Sequence, residues 1–239
     1  AFKQQFDWFR GNAPARDVIH ACGLAILLLS GALAWAQRSW GRLLACAIGV
    51  DLGAMLLMLN FETPAAIEAL AFGIAARVLS LGVFAAGLSA LRTCAASDDF
   101  ERTRGAGRSC PAAVLAIALG ALSIAGLPGT VGFVTRWLNT RVLSVVDLEM
   151  LVVVLLAGVS VGWGSIRGVF NLLAEAPPSG EGDTHPLRPT PVSAPAAISR
   201  TATLTLVVSS AVLVVLGLAP APLAELAKAV ASAYTFFYP

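Results

Sequence analysis

The chain has 239 residues, 57% of them hydrophobic and only 13% charged, with a net charge of +2 and a mean hydropathy of +0.80. So little charge cannot cover a water-facing surface, which excludes soluble enzymes, nucleic-acid-binding domains and disulfide-rich secreted scaffolds and implies a polytopic membrane protein. The net charge singles out no partner, but its make-up is lopsided, with two lysines (Lys3, Lys228) against fourteen arginines.

An α-helix needs about 20 apolar residues to cross a bilayer, because unpaired backbone groups are not tolerated in hydrocarbon. Ahead of any such run, residues 1–17 (AFKQQFDWFRGNAPARD) form a mixed amphipathic, extramembrane stretch. A start at Ala1 implies either a removed presequence or a gene start further upstream. Residues 18–36, 42–59 and 66–91 then read as three spans. The fourth begins after Pro111 and runs to about residue 143, with Gly126, Pro128 and Gly129 in its middle. Proline there removes a backbone hydrogen bond and clashes with the preceding turn, so this segment is expected as one crossing made of two half-helices. Two short hairpin helices joined by a tight turn are the alternative. The fifth span covers 148–169 and the sixth 201–218. The expected fold is therefore an all-α membrane protein with six transmembrane helices, the fourth discontinuous.

The five-helix unit, residues 18–173, is followed by a Pro-rich polar loop at 174–200, which is expected outside the membrane. Residues 201–239 supply the last crossing and an amphipathic tail expected at the interface. One set of loops collects Arg38, Arg42, Arg92, Arg102, Arg104, Arg108, Arg167, Arg188 and Arg200; the other has Lys3, Arg10, Arg16, Arg141 and Lys228. The positive-inside tendency then places both chain ends on the outer side.

Three ionisable residues fall inside spans: Asp51, Arg77 and Arg136. Asp51 and Arg77 lie nine and eleven residues into consecutive helices, about 13 to 17 Å from their entry surfaces. Each costs roughly 2.5 to 3.5 kcal/mol at that depth, so each needs a protein interior, a partner charge or water. A conducting chain of buried polar groups and a static neutralising pair are both open at this point, as is a lipid-facing position. His20, at the mouth of the first span, is a further titratable candidate. Glu62, Glu68, Asp147 and Glu149 sit at helix ends and suit capping; His185 lies in the polar loop. Cys22, Cys46, Cys94 and Cys110 form no CxxC and have no nearby histidine, so free thiols are expected and no metal cage. The chain also lacks a phosphate-binding glycine loop, an HExxH and a GxSxG motif, so no catalytic constellation is read.

The run GALSIAGLPGTVGFVTRW around the break resembles the signature of the antiporter-like, proton-conducting subunits of respiratory complex I. In that family a Gly-(Leu/Ile)-Pro break is followed by Gly-Phe and a charged residue, commonly lysine, here Arg136; Trp137 is most like the chain 2, or N-type, branch. WGRLLACAIGVDLGAMLLML is similar to the family's "KRLLAYSS…HMG" helix, with Asp51 where a histidine or other polar residue is usual and Cys46, Ala47 and Ile48 replacing the "YSS" hydroxyls. EALAFGIAARVLSLGVFAAGLSAL is similar to the helix ending in "NLGAF", and GVSVGWGSIRGVFNLLAEAP to the "SAYYYLR" helix.

The resemblance implies that these six helices correspond to the second inverted repeat plus the last helix of a roughly fourteen-helix subunit. The first repeat, with its "PFHxWxPD" segment, would be supplied by a separate polypeptide. It further implies a proton-translocating NADH:ubiquinone oxidoreductase, other membrane-arm subunits and lipid as partners, no nucleic acid, and no cofactor in this chain. The location implied is the mitochondrial inner membrane or, alternatively, a bacterial plasma membrane. A multi-subunit cation/proton antiporter subunit and a purely structural helix bundle are the competing functions. No lysine lies in any span, and arginine cannot be deprotonated in a protein, so Arg136 cannot relay protons as a lysine would.

Overall fold

The computed structural model describes residues 12–61, 63–175 and 199–233. Among these residues there are nine helices: α1 (Ala13–Ala36), α2 (Trp40–Leu59), α3 (Pro64–Ala95), α4 (Ala106–Ser109), α5 (Pro111–Ala125), α6 (Val131–Val146), α7 (Leu148–Leu173), α8 (Arg200–Leu218) and α9 (Ala221–Ala233). Glu62, the amphipathic start before Asn12 and nearly all of the Pro-rich loop, with His185 and Arg188, lie outside the described residues.

Local chemistry sets the helix boundaries. Asn12 and Thr63 accept side-chain hydrogen bonds from N–H groups of the first turns of α1 and α3, each with proline just inside the helix. Asp147 caps α7 by accepting from the N–H groups of Glu149 and Met150, the role expected of it. Helices α1, α2, α3, α7 and α8 are long and apolar enough to cross a membrane, whereas α5 is shorter. Leucines and valines such as Leu29, Val78, Leu156 and Val159 point outward, the surface a bilayer requires.

Helix α3 decides between the two readings of the broken segment. Gly87 packs against Ile117, Phe84 against Gly120 and Gly73 against Thr135, while Ser80 meets Ser123 and Arg77 meets Ile124. Contacts that descend α3 therefore ascend α5 and then α6 without reversal. The two half-helices make one crossing, the fourth in chain order, and a hairpin is excluded.

At the arginine-rich end the connections are built rather than loose. Trp40, fully buried, sits edge-on to Phe84 and Phe100 at 5.8 and 4.9 Å. The Trp40 N–H donates to the Asp98 carbonyl (2.9 Å) and the Phe100 N–H to that of Arg38 (2.8 Å). Arg167 donates to the Gln37 carbonyl. Cys94 and Cys110 are joined as a disulfide with their Cα atoms 6.7 Å apart, which corrects the expectation of four free thiols; Cys22 and Cys46 are free. A separation of 16 residues says nothing in sequence about the end of α3 returning to the start of α5.

Arg92 donates to Asp98 at 2.6 Å, and this hydrogen bond holds the Asp98 carboxyl below the usual carboxylate range. A folded-state pKa that is depressed contributes stability fully above the unfolded value, about 3.9, and loses it as pH falls through the folded value. The protection factors of the Trp40 and Phe100 amides, exchange relative to the intrinsic rate at each pH, should thus hold down to about pH 4 and fall only below it. In Arg92→Gln the loss of this hydrogen bond should lower protection at neutral pH and flatten the fall below about pH 4, since folded and unfolded carboxyls then titrate alike; a profile unchanged from the parent would remove the clasp from the account.

The last two helices close the other flank. Leu206 and Leu213 of α8 cluster with Phe72 and Ala76 of α3, Val131 of α6 and Ala227 of α9, so α9 packs back on the bundle through its small apolar face.

Candidate functional site

The break gives partners to several of the backbone groups exposed at the two half-helix ends. Helix α5 stops at Gly126, which is left-handed (φ +82°). The Gly126 N–H turns back to the Ser123 carbonyl and the Leu127 N–H to that of Leu122, both at 3.0 Å, a Schellman-type closure. Gly129 is also left-handed, at φ +85°, and Pro128 between them has no N–H to leave orphaned. Helix α6 starts beside the last turn of α5, where the Gly132 N–H donates to Ser123 Oγ (3.1 Å). Ser80 Oγ donates to the Ala76 carbonyl at 2.9 Å, so in its 2.8 Å contact with Ser123 the Ser123 hydroxyl is the donor. Each hydroxyl has one proton, and this assignment uses both.

The carbonyl of Ile124, left over by the closure, receives the cations. Arg77 Nη1 donates to it at 3.0 Å and Arg136 Nη2 at 3.4 Å. A helix C-terminus carries partial negative charge, so it is where guanidinium groups are stabilised. Arg136 Nη1 also donates to the Val154 carbonyl of α7 at 3.3 Å. Arg77 Nη2 pairs with Asp51 Oδ1 at 3.0 Å, and both residues are buried, at 5% and 6% exposure. Among the described residues Asp51 Oδ2 has no hydrogen-bond partner. Beside it, a cavity lined by Asp51, Arg77, Thr135, Arg136 and Asn139 has about 10 Å³ for the centre of a water, the size of one molecule.

The structure thus brings together Asp51, Arg77 and Arg136 with the broken helix of Gly126, Pro128 and Gly129, and it leaves His20 apart. His20 Nδ1 is 3.3 Å from Asn60 Nδ2, and Asn60, the C-cap of α2, lies nine residues beyond Asp51, about 13 Å along the helix. Sequence reading missed Ser80, Ser123 and Gly158. The two serines had a signal, being hydroxyls in the middle of apolar runs. Gly158 had none: its role appears only because a Cβ there would lie 2.5 Å from Arg136 Nη1.

Residues 7–162 match the family described as NADH:quinone oxidoreductase/Mrp antiporter, transmembrane. A curated relative, NADH-quinone oxidoreductase subunit N 2 of Sorangium cellulosum (strain So ce56), is 29% identical over 129 residues, 53% of this chain and 26% of the relative. Among solved structures the fold is similar to a chain of the Mrp complex from Dietzia sp. DQ12-45-1b (TM-score 0.80, 17% identity, 97% of this chain and 49% of that one). It is similar also to a chain of the archaeal membrane-bound sulfane sulfur reductase (TM-score 0.77, 16% identity, 92% and 42%). A third likeness is to a chain of Thermus thermophilus respiratory complex I (TM-score 0.64, 21% identity, 87% and 45%). The match spans about a quarter of the curated relative and under half of each solved chain. With residues 7–162 matched and an all-helical fold broken at Gly126, the chain belongs to the NADH:quinone oxidoreductase/Mrp antiporter transmembrane family.

Proposed function

We propose that this chain is the second-repeat portion of an antiporter-like, N-type membrane subunit of a proton-translocating NADH:quinone oxidoreductase. In this reading the first repeat comes from outside these residues, and the subunit sits in a coupling membrane among other membrane-arm subunits. The bacterial relative favours a bacterial plasma membrane over the mitochondrial inner membrane. NADH and quinone chemistry belong elsewhere in the assembly.

The observation that carries the reading is the convergence of Arg77 and Arg136 on the Ile124 carbonyl at the broken helix, with Asp51 paired to Arg77. Of these groups only the carboxylate exchanges protons, since neither guanidinium deprotonates. Asp51 is the proton-carrying residue, with Oδ1 held by Arg77, Oδ2 unpartnered among the described residues and the residue lining the cavity. The arginines are fixed positive charges whose field depends on whether Asp51 is charged. Protonating Asp51 releases Arg77 to its Ile124 contact alone, and this couples a proton to the position of the break.

A second reading, a subunit of a multi-subunit cation/proton antiporter, is favoured by the likeness to the Mrp complex chain. Mass spectrometry of the native assembly separates the two, by iron-sulfur and flavin subunits in one case and small cation-transport subunits in the other.

The test of the mechanism is Asp51→Asn, which keeps shape and hydrogen bonding but loses the titrating group. In the complex that still assembles and is reconstituted, the proton-to-electron ratio should fall; the assembly yield should fall as well, because the amide leaves Arg77 without its counter-charge. An unchanged ratio would reduce the cluster to a scaffold.

A further inference from the structure

Arg136 has two sides. Inward it lines the small cavity beside Asp51; outward it lines a groove of about 440 Å³ between α5, α6 and α7 that opens on the flank of the bundle. Apart from Arg136 and Thr140 the groove walls are apolar, with Phe133, Trp137, Leu155, Val159 and Trp163 among them. Its aromatics are held in place: Trp163 stacks on Trp35 at 5.5 Å, and Phe133 on Trp137 at 6.5 Å.

The charges at this depth do not balance within the described residues. Asp51 contributes one negative charge and Arg77 with Arg136 two positive ones. Asp51 Oδ1 is committed to Arg77. Arg136 has only the two carbonyls, at 3.3 and 3.4 Å, and its Nε has no partner. An excess cation in mid-membrane is costly, and an anion is what would offset it. An acyl chain fills an apolar groove but brings no charge, and lipid phosphates lie about 15 Å away, half the hydrocarbon thickness. A membrane helix with a carboxylate facing the groove supplies both the apolar cover and the anion.

We propose that the α5–α6–α7 groove seats a transmembrane helix from outside these 239 residues, which presents an Asp or Glu to Arg136. The proposal rests on the reading of this chain as part of a larger membrane assembly. The rigid aromatic pairs anchor the incoming helix, and the new carboxylate completes the charge of the cluster from the flank opposite Asp51.

The experiment uses the intact complex, isolated through a tag on another subunit, with a photo-crosslinking amino acid at Val159, a groove residue 64% exposed. The adduct, mapped by mass spectrometry, should fall in one transmembrane segment that contains Asp or Glu. Adducts on lipid alone, or on a segment without an acidic residue, would overturn the proposal. A second measurement does not depend on crosslinking. Arg136→Gln alone, and amidation of the mapped acid alone, should each lower the yield of assembled complex about tenfold, and the two together should restore it to within about threefold, because a single change strands a charge. Additive losses would refute the pairing. If the chain does not co-purify with any membrane polypeptide, the assembly reading fails with it; if it co-purifies but crosslinks only to lipid, the groove proposal alone fails.

Discussion

Asp51→Ala alone should destabilise the helix bundle by about 3 to 5 kcal/mol, and replacing Asp51 and Arg77 together by leucine and methionine should recover most of that loss. The pair is buried, at 3.0 Å, in a part of the bundle that offers Arg77 one further acceptor, the Ile124 carbonyl. Removing the carboxylate strands a guanidinium in low dielectric, whereas removing both charges leaves an apolar contact between α2 and α3. Recovery should be incomplete, because without Arg77 the Ile124 carbonyl keeps only the longer bond from Arg136 (3.4 Å). Unfolding in a lipid nanodisc measures both variants. A double replacement as damaging as Asp51→Ala would show that the interaction stabilises the bundle in its own right and would reverse the argument.

Gly126→Ala should be markedly worse than Gly129→Ala, although both glycines sit at nearly the same left-handed φ, +82° and +85°. A Cβ at Gly129 meets nothing within 4 Å, so only the backbone term applies, about 1 to 2 kcal/mol. At Gly126 the new methyl collides with the stem of Arg136, adding an overpacking cost of about 1 to 3 kcal/mol and pushing the guanidinium off Ile124 and Val154. The Gly126 variant should therefore lose assembled complex while the Gly129 variant keeps it. Equal losses would mean that the break needs only its backbone conformation and that the seat of Arg136 is irrelevant.

Much of the fold was legible from the residues. The hydrophobic lengths gave the spans: α7 begins where the fifth run begins, and α2 and α8 end where the second and sixth runs end. Gly126, Pro128 and Gly129 announced the break because their constraints are local, acting through φ, a missing N–H and a missing Cβ. The mid-span placement of Asp51, Arg77 and Arg136 was equally local, since helical rise converts sequence position into depth.

What position along a helix does not encode is rotation and neighbour choice, and these only the tertiary structure decided. Hydropathy could not tell a broken crossing from a hairpin; the ordered contacts down α3, from Gly87 through Ser80 to Gly73, did. Nor could it foresee that the Ile124 carbonyl gathers two arginines, since every residue has such a carbonyl and only a helix end leaves it free. The same limit hid the approach of Cys94 to Cys110 and the space that Gly158 clears for Arg136. Period and length fix how deep a side chain lies, but packing of one helix on another fixes which partners it meets there.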